Sequence, residues 1–137
     1  MRNLRVFKIC YGVINHSIYS NGYERFLNRH QLQPVYGIKD NFKSEMLKRC
    51  IPVKNRPVHT FVEATEEQLR AICGSQNNKA DCMSKRSFTV YNIRRKPNNY
   101  YTNKAKVTIQ AKIVVTCENN YPVHFVCLFI SPEQTNW

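Results

Sequence analysis

The stretch Cys117-Glu-Asn-Asn-Tyr-Pro-Val-His-Phe-Val126 joins two segments that have the composition of β-strands. Residues 106–117 alternate apolar with polar or basic side chains, and the apolar set is Val107, Ile109, Ala111, Ile113, Val115 and Cys117. Such alternation predicts a strand with one buried face and one basic outer face. Residues 118–122 then predict a turn, and residues 123–130 a last strand. The sequence therefore predicts a C-terminal hairpin.

Helical patterns come earlier in the chain. Four residues recur at the spacing of one helix face, namely Tyr23, Phe26, Leu27 and His30. Asn21 is a candidate N-terminal cap, and Pro34 lies beyond the expected end of the helix. The pattern places His30 on the apolar face of this first helix.

Two further helices are predicted before most of the strands. Residues 41–49 form a weaker pattern that puts three side chains on one side, namely Phe42, Met46 and Leu47. Thr65-Glu-Glu-Gln68 has the form of a capping box, and Gly74 is a typical helix stop. Residues 60–63 and 87–93, rich in β-branched and aromatic side chains, predict strands on either side of this third helix.

Three helices combined with antiparallel strands indicate an α+β fold. The length of 137 residues suits one compact domain. We expect a single domain over residues 1–137, with an N-terminal extension of about 1–22 and a C-terminal extension of about 127–137.

The charge balance favours a polyanionic partner. Twenty-one Lys and Arg against nine Asp and Glu give a formal net charge of +12. Such a surface attracts nucleic acid or an anionic membrane surface. A hydrophobic content of 42% excludes a disordered polycation, because so apolar a chain can bury a core.

Six cysteines in so short a chain favour a secreted protein with disulfide bonds. A zinc site is disfavoured because no pair of cysteines has the short spacing that structural zinc sites use, and no other cofactor is indicated. No apolar stretch approaches the length of a membrane helix. The first residues do not form a signal-peptide core, so we expect that a secretion signal preceded this chain and that Met1 is an added start. A chain that never carried such a signal would keep reduced thiols.

Two histidines on different elements can divide the work of general acid and general base. Each imidazole has an ordinary pKa near 6.5, so both protonation states are accessible near neutral pH. Cleavage of RNA needs this pair, because one group removes the proton of the ribose 2′-hydroxyl and the other protonates the departing 5′-oxygen. A nearby cation stabilises the charge that builds on the phosphorane.

Two motifs carry a resemblance to a known family. Cys117-Glu-Asn-Asn-Tyr-Pro-Val-His124-Phe125-Val126 resembles the terminal hairpin of the pancreatic ribonuclease superfamily, and especially of its amphibian members. Tyr23-x-x-Phe26-Leu27-x-x-His30 is similar to the first helix of that family. The resemblance implies a curved, largely antiparallel sheet with three helices, whose cleft holds RNA.

By this resemblance His30 is the general base and His124 the general acid of the cyclisation step. The segment Pro57-Val58-His59-Thr60-Phe61 is similar to the signature that carries the catalytic lysine, but an ungapped match puts Arg56 at the lysine position. A second match, with an insertion after Cys50, leaves Lys54 as the cation. Because a planar guanidinium differs from a compact ammonium, we expect activity below that of a typical family member.

The resemblance also implies a set of substrate contacts. Thr60 is expected to pair with a pyrimidine base, and Phe125 to support its ring. His59 stands where the family has an asparagine, and Arg29, beside the general base, stands where glutamine is common. We expect all four residues to bind substrate.

The resemblance implies a disulfide between Cys73 and Cys117. Two other family pairs are absent on both sides, which leaves four cysteines, namely Cys10, Cys50, Cys82 and Cys127. Three connectivities among these four remain open.

Two functions therefore compete. The first is a secreted, extracellular endoribonuclease that acts on single-stranded RNA through a 2′,3′-cyclic phosphate. The second is a cationic host-defence or binding protein on the same fold, with vestigial catalysis and a membrane target. Oligomeric state is not indicated by the sequence.

Overall fold

The structure is a computed structural model that describes residues 21–34, 41–51, 56–97 and 101–130. The predictions that concern Cys10, Lys54, most of the N-terminal extension and residues 131–137 lie outside the described residues. Among the described residues, no helix combines the length and the apolar character needed to cross a membrane.

The described part contains three helices and six strands. In chain order they are α1 (Gly22–His30), β1 (Gln31–Leu32), α2 (Phe42–Lys48), β2 (Val58–Glu63), α3 (Glu66–Cys73), β3 (Ala80–Met83), β4 (Phe88–Arg94), β5 (Lys106–Glu118) and β6 (Tyr121–Phe129). The strands form one curled sheet in the order β1-β2-β4-β5-β3, and β6 also pairs with β5. Only β1 and β2 run parallel among these pairs. The predicted α+β fold is confirmed, with two short strands, β1 and β3, that the sequence pattern did not predict.

The predicted helix ends are confirmed at α1 and α3. The Asn21 side chain accepts a hydrogen bond of 2.7 Å from the backbone N–H of Glu24. Thr65 and Gln68 form the reciprocal capping box at the start of α3. Gly74 ends that helix with φ +55, a conformation that glycine adopts at little cost. Local side-chain chemistry therefore sets these boundaries.

In α2 the predicted inner face is partly wrong. Phe42 and Met46 are buried as expected, but Leu47 is 62% exposed. Glu45 takes the inner side instead, because the Nε of Arg49 donates a 2.7 Å bond to its carboxylate. An ion pair with several hydrogen bonds can hold a carboxylate in such a place, which a hydrophobic pattern does not reveal.

The prediction for β5 holds for only half of the strand. The residues of its second half are fully buried on one side, namely Ala111, Ile113, Val115 and Cys117. Val107 and Ile109 should share that side by simple alternation, yet they are 52% and 65% exposed. The predicted burial of these two residues is therefore wrong.

A β-bulge explains the change of face. Phe88 of β4 lies opposite Ala111, whereas Val90 lies opposite Thr108, so β5 contains one more residue than β4 between these pairs. Gln110 stands in this interval with φ 56. Because side chains alternate with a period of two, one added residue moves the preceding side chains to the other face.

Two hydrophobic clusters pack against the sheet. The larger one joins α1 and α3 to the second half of β5 and includes Phe26, Leu27, Val62, Leu69, Val90, Ile113 and Val115. The smaller one joins α2 to β2 and β4 and includes Phe42, Met46, Phe61, Tyr91 and Ile93. Alternate residues of β2 and β4 enter different clusters, so both faces of these strands are buried. The ends of α1 and β2 meet between the clusters.

The implied disulfide between Cys73 and Cys117 is confirmed, with an S–S distance of 2.06 Å and a Cα–Cα distance of 5.7 Å. It connects α3 to β5. Cys50 is also disulfide-bonded.

The expectation that Cys82 and Cys127 form disulfides is wrong, because both are free thiols. Cys82 lies opposite Val115 of β5, and Cys127 lies opposite Val114. Directly opposed side chains share a face of the sheet, while consecutive residues point to opposite faces. The two thiols therefore lie on different faces, with Cys82 half-buried against the larger cluster and Cys127 exposed.

Candidate active site

His30 is the last residue of α1 and is only 7% exposed. Its Nδ1 lies 2.8 Å from the carbonyl oxygen of Thr60 on β2. A carbonyl can only accept a hydrogen bond, so the neutral ring carries its proton on Nδ1. Nε2 is then left with a lone pair, which is the state that a general base requires.

Aromatic rings surround His30. Its ring centroid lies 5.2 Å from that of His59, 5.4 Å from Phe125 and 5.5 Å from Phe26. Burial is the main reason that the pKa of His30 falls from 6.5 to about 3, and the positive charge available to His59 lowers it further. The bond to Thr60 opposes this shift without reversing it. His30 is therefore neutral over the whole physiological range of pH.

His59 lies behind His30 and not at an open surface. It is 2% exposed, its ring is nearly parallel to that of His30, and its Nε2 donates a 2.6 Å bond to the carbonyl oxygen of Arg29. Phe61 and Tyr101 meet the same ring edge-on. Burial lowers the pKa of His59 to about 4. The contact of His59 with the substrate stays a prediction.

Two arginines lie close to the histidine pair. Arg29 is half-buried, and its pKa is lowered by burial and then by the charges of Arg56 and Arg25. Arg56 is exposed just before β2, and its charge lowers the pKa of both His30 and His59. The hydroxyl of Tyr101 donates a 3.2 Å bond to the carbonyl oxygen of Arg56. The backbone of Arg56 is thus tied to the smaller cluster, while its guanidinium faces solvent.

Thr60 uses two polar groups at this site. Its carbonyl oxygen accepts from His30, and its hydroxyl donates a 2.6 Å bond to Oδ1 of Asn92 on β4. With the hydroxyl proton engaged, the oxygen offers its lone pairs to a further partner. Asn92 was not among the predicted site residues, because one asparagine within a strand forms no sequence motif.

His124 lies on β6, directly opposite Thr116 of β5, and is exposed. The next residue, Phe125, packs against the larger cluster and contacts His30, so β6 brings the second histidine to the neighbourhood of the first. Thr116 donates a 2.7 Å bond to Asp81 of β3 on its other side. The structure thus places His124 at an accessible position on the strand that borders His30.

Arg49 is a second residue that the sequence did not identify. Its Nη1 donates 3.0 Å to the carbonyl oxygen of Asn28, and also donates to that of Gln31. Its guanidinium lies 4.8 Å from the ring centroid of Phe61. Through these contacts Arg49 fixes the C-terminal end of α1, which carries His30. Because Arg49 lies at the end of α2 and caps the end of α1, no local sequence pattern predicts this role.

Together these residues supply one buried neutral imidazole, one exposed imidazole and nearby guanidinium groups. This set can move protons to and from oxygen atoms while it attracts a negatively charged phosphate.

Comparisons with known proteins show which family the chain resembles. No model of a protein family matches the chain. Angiogenin of Rhinopithecus avunculus is 30% identical over 113 residues, which cover 74% of this chain and 75% of that protein. Among solved structures, amphinase, a cytotoxic ribonuclease from Rana pipiens oocytes, superposes with a TM-score of 0.66 at 24% identity over 81% of this chain and all of that one. The structure of cytotoxic RC-RNase2 superposes with a TM-score of 0.62 at 28% identity over 80% of this chain and 97% of that one. The chain belongs to the pancreatic-type ribonuclease superfamily.

Proposed function

We propose that the protein is an endoribonuclease that cleaves single-stranded RNA. The observation that carries the proposal is the bond between His30 and the Thr60 carbonyl, which commits Nδ1 and leaves Nε2 as a proton acceptor. Membership of a ribonuclease superfamily supports the same function.

The proposed reaction has two steps. In the first, His30 Nε2 takes the proton of the 2′-hydroxyl, the 2′-oxygen forms a bond to phosphorus, and the P–O5′ bond breaks. His124 gives its proton to the departing 5′-oxygen, so a 2′,3′-cyclic phosphate forms. In the second step the roles reverse, and water activated by His124 opens the ring. DNA lacks the 2′-hydroxyl and is not a substrate.

Arg56 is the cation that we assign to the phosphorane. Its influence on His30 and its position before β2 support this choice over Lys54, which lies outside the described residues. Arg29, whose charge also acts on His30, is proposed to contact the same phosphate. A guanidinium spreads its charge over a plane, so we expect slower turnover than with a lysine at this position.

Thr60 and Phe125 are proposed to hold the base on the 5′ side of the cut. The Thr60 hydroxyl donates to Asn92, so its free lone pairs suit a base that presents an N–H donor, as uracil does at N3. We therefore propose a pyrimidine preference, with uridine favoured over cytidine. The disulfide between Cys73 and Cys117 supports an extracellular location, since such bonds persist in oxidising compartments.

The test is cleavage of a defined single-stranded RNA by the wild type and by four variants. His30→Ala and His124→Ala are each expected to abolish cleavage, whereas Lys79→Ala, which changes an exposed cation outside the site, should leave it unchanged. Arg56→Lys should raise the rate. Cleavage that persists equally in both histidine variants would refute the proposal, because it would come from a contaminating nuclease.

A cationic host-defence or binding protein is the second candidate. It is favoured by the net charge of +12 and by the weak basicity of His30, which reduces the proton-transfer driving force. This function predicts that the double variant His30→Ala with His124→Ala permeabilises vesicles of anionic lipid as well as the wild type does. Intact vesicles after exposure to wild-type protein would reject it.

A further inference from the structure

His59 is a buried imidazole that transfers no proton in the proposed reaction. It contacts α1 in two ways, through a 2.6 Å bond to the carbonyl oxygen of Arg29 and through ring contact with His30 at 5.2 Å and an interplanar angle of 13°. Both contacts lead to the residue that we assign as general base, so the inference rests on the proposed function.

We propose that His59 is a positioning residue for His30. His59 fixes the last turn of α1, and its flat, uncharged ring packs against the ring of the general base.

The hydrogen bond acts on the helix end. The last carbonyl groups of a helix have no partner within the helix and need one elsewhere. In α1 the carbonyl of Asn28 accepts from Arg49, and the carbonyl of Arg29 accepts from His59. These two side chains come from the end of α2 and from β2, so they fix the final turn from two directions. His30 is the next residue, and its ring position depends on that turn.

The ring contact acts on the imidazole itself. His30 meets His59 on one side, while Phe26 and Phe125 lie at other sides of the ring. The bond from Nδ1 to Thr60 fixes its rotation. A ring confined in this way keeps Nε2 in one direction, as proton abstraction requires.

His59 can support the His30 ring in this way only while it is neutral. The charged or titratable groups that act on it or touch it are His30 and Arg29 from α1, Arg49 from the end of α2, Arg56 before β2 and Tyr101 before β5. No carboxylate acts on His59 within the described residues, and the hydrogen bond to the Arg29 carbonyl, which raises the pKa of His59, is outweighed by burial. Burial and these cations keep its pKa low, at about 4.

Two substitutions separate the contacts. His59→Gln keeps an amide donor near the place of Nε2 but removes the ring and its capacity for charge. His59→Phe keeps a flat ring and removes the donor. The measurements are kcat/KM on single-stranded RNA and the NMR titration of the His30 ring without RNA, with Thr65→Ala as a control that weakens a helix cap away from His30.

We expect His59→Gln to retain kcat/KM within about tenfold and His59→Phe to lose about 100-fold, because a small misplacement of a reacting group has an effect of this size. In His59→Gln the titration midpoint of His30 should move upward, since a neighbour that can become charged has been removed. Thr65→Ala should lower the Tm and leave that midpoint unchanged.

The inference is overturned if the His30 midpoint is the same in wild type and His59→Gln, or if His59→Phe is as active as His59→Gln. Failure of the proposed function has a different result, which is absence of RNA cleavage by the wild type. The NMR titration decides the positioning role in that case as well.

Discussion

Acid should destabilise this protein well above the pH at which carboxylates are protonated. His30 and His59 are 7% and 2% exposed, and burial lowers their pKa values to about 3 and about 4. In the unfolded chain both return to about 6.5. Because the folded-state values are the lower ones, the stabilisation is complete above pH 6.5 and is lost progressively as the pH falls toward 4 and then 3.

The size of the effect follows from proton uptake. Between pH 7 and pH 5 the unfolded chain takes up about 0.7 proton at each histidine, whereas the folded protein takes up almost none. Integrating this difference gives about 2 kcal/mol for each histidine and about 4 kcal/mol for the pair. A loss of that size is a large share of the ~5–15 kcal/mol that stabilises a typical domain.

Urea denaturation at pH 7, 6 and 5 measures this loss, provided that the slope of the free energy of unfolding against urea concentration stays constant. His59→Gln removes one of the two groups, so its loss over the same interval should be about 2 kcal/mol smaller than that of the wild type. His124→Gln changes an exposed histidine and should lose as much as the wild type. An equal loss in His59→Gln and in the wild type would refute the reasoning, because it would mean that His59 titrates alike in both states.

Three further predictions concern other parts of the molecule. Replacing Cys73 and Cys117 together with serine should lower the free energy of unfolding by about 2–4 kcal/mol, measured in urea, because the cross-link no longer restricts the unfolded chain. Arg29→Gln should weaken binding of single-stranded RNA and reduce the slope of log affinity against log salt concentration by about 0.7, since one fewer phosphate is neutralised; an unchanged slope would remove Arg29 from the interface. A thiol reagent should modify native Cys127 faster than Cys82, because the first is exposed and the second half-buried; equal rates would contradict this.

The helix ends were predictable because their signals are local. The capping box of Thr65 and Gln68 lies within four consecutive residues, and Gly74 follows where the helix must stop. Motifs predicted His30 and His124 as site residues, but a motif does not show which ring nitrogen can accept a proton. The choice of Nε2 over Nδ1 as acceptor needed the contact with Thr60, a residue thirty positions away.

The errors arose where distant residues decide the outcome. Glu45 is inside and Leu47 outside because Arg49 pairs with the carboxylate. The short strands β1 and β3 form because longer strands offer them edges, and they carry no period long enough to detect. His59 is a different case, because its predicted contact with the substrate came from its place in the motif, which does not reveal that the ring is only 2% exposed.

The bulge at Gln110 makes chain length at this point as important as composition. Deleting Gln110 would remove the bulge and leave Thr108 two positions before Ala111, so Val107 and Ile109 would stay on the face opposite to Ala111. A homologous strand that lacks this one residue would therefore keep the same side chains on each face, with one residue fewer between its two halves. In a relative that lacks the extra residue, a sequence alignment without a gap at this position would pair inward-facing residues with outward-facing ones. The first half of β5 would then be assigned to the wrong faces of the sheet.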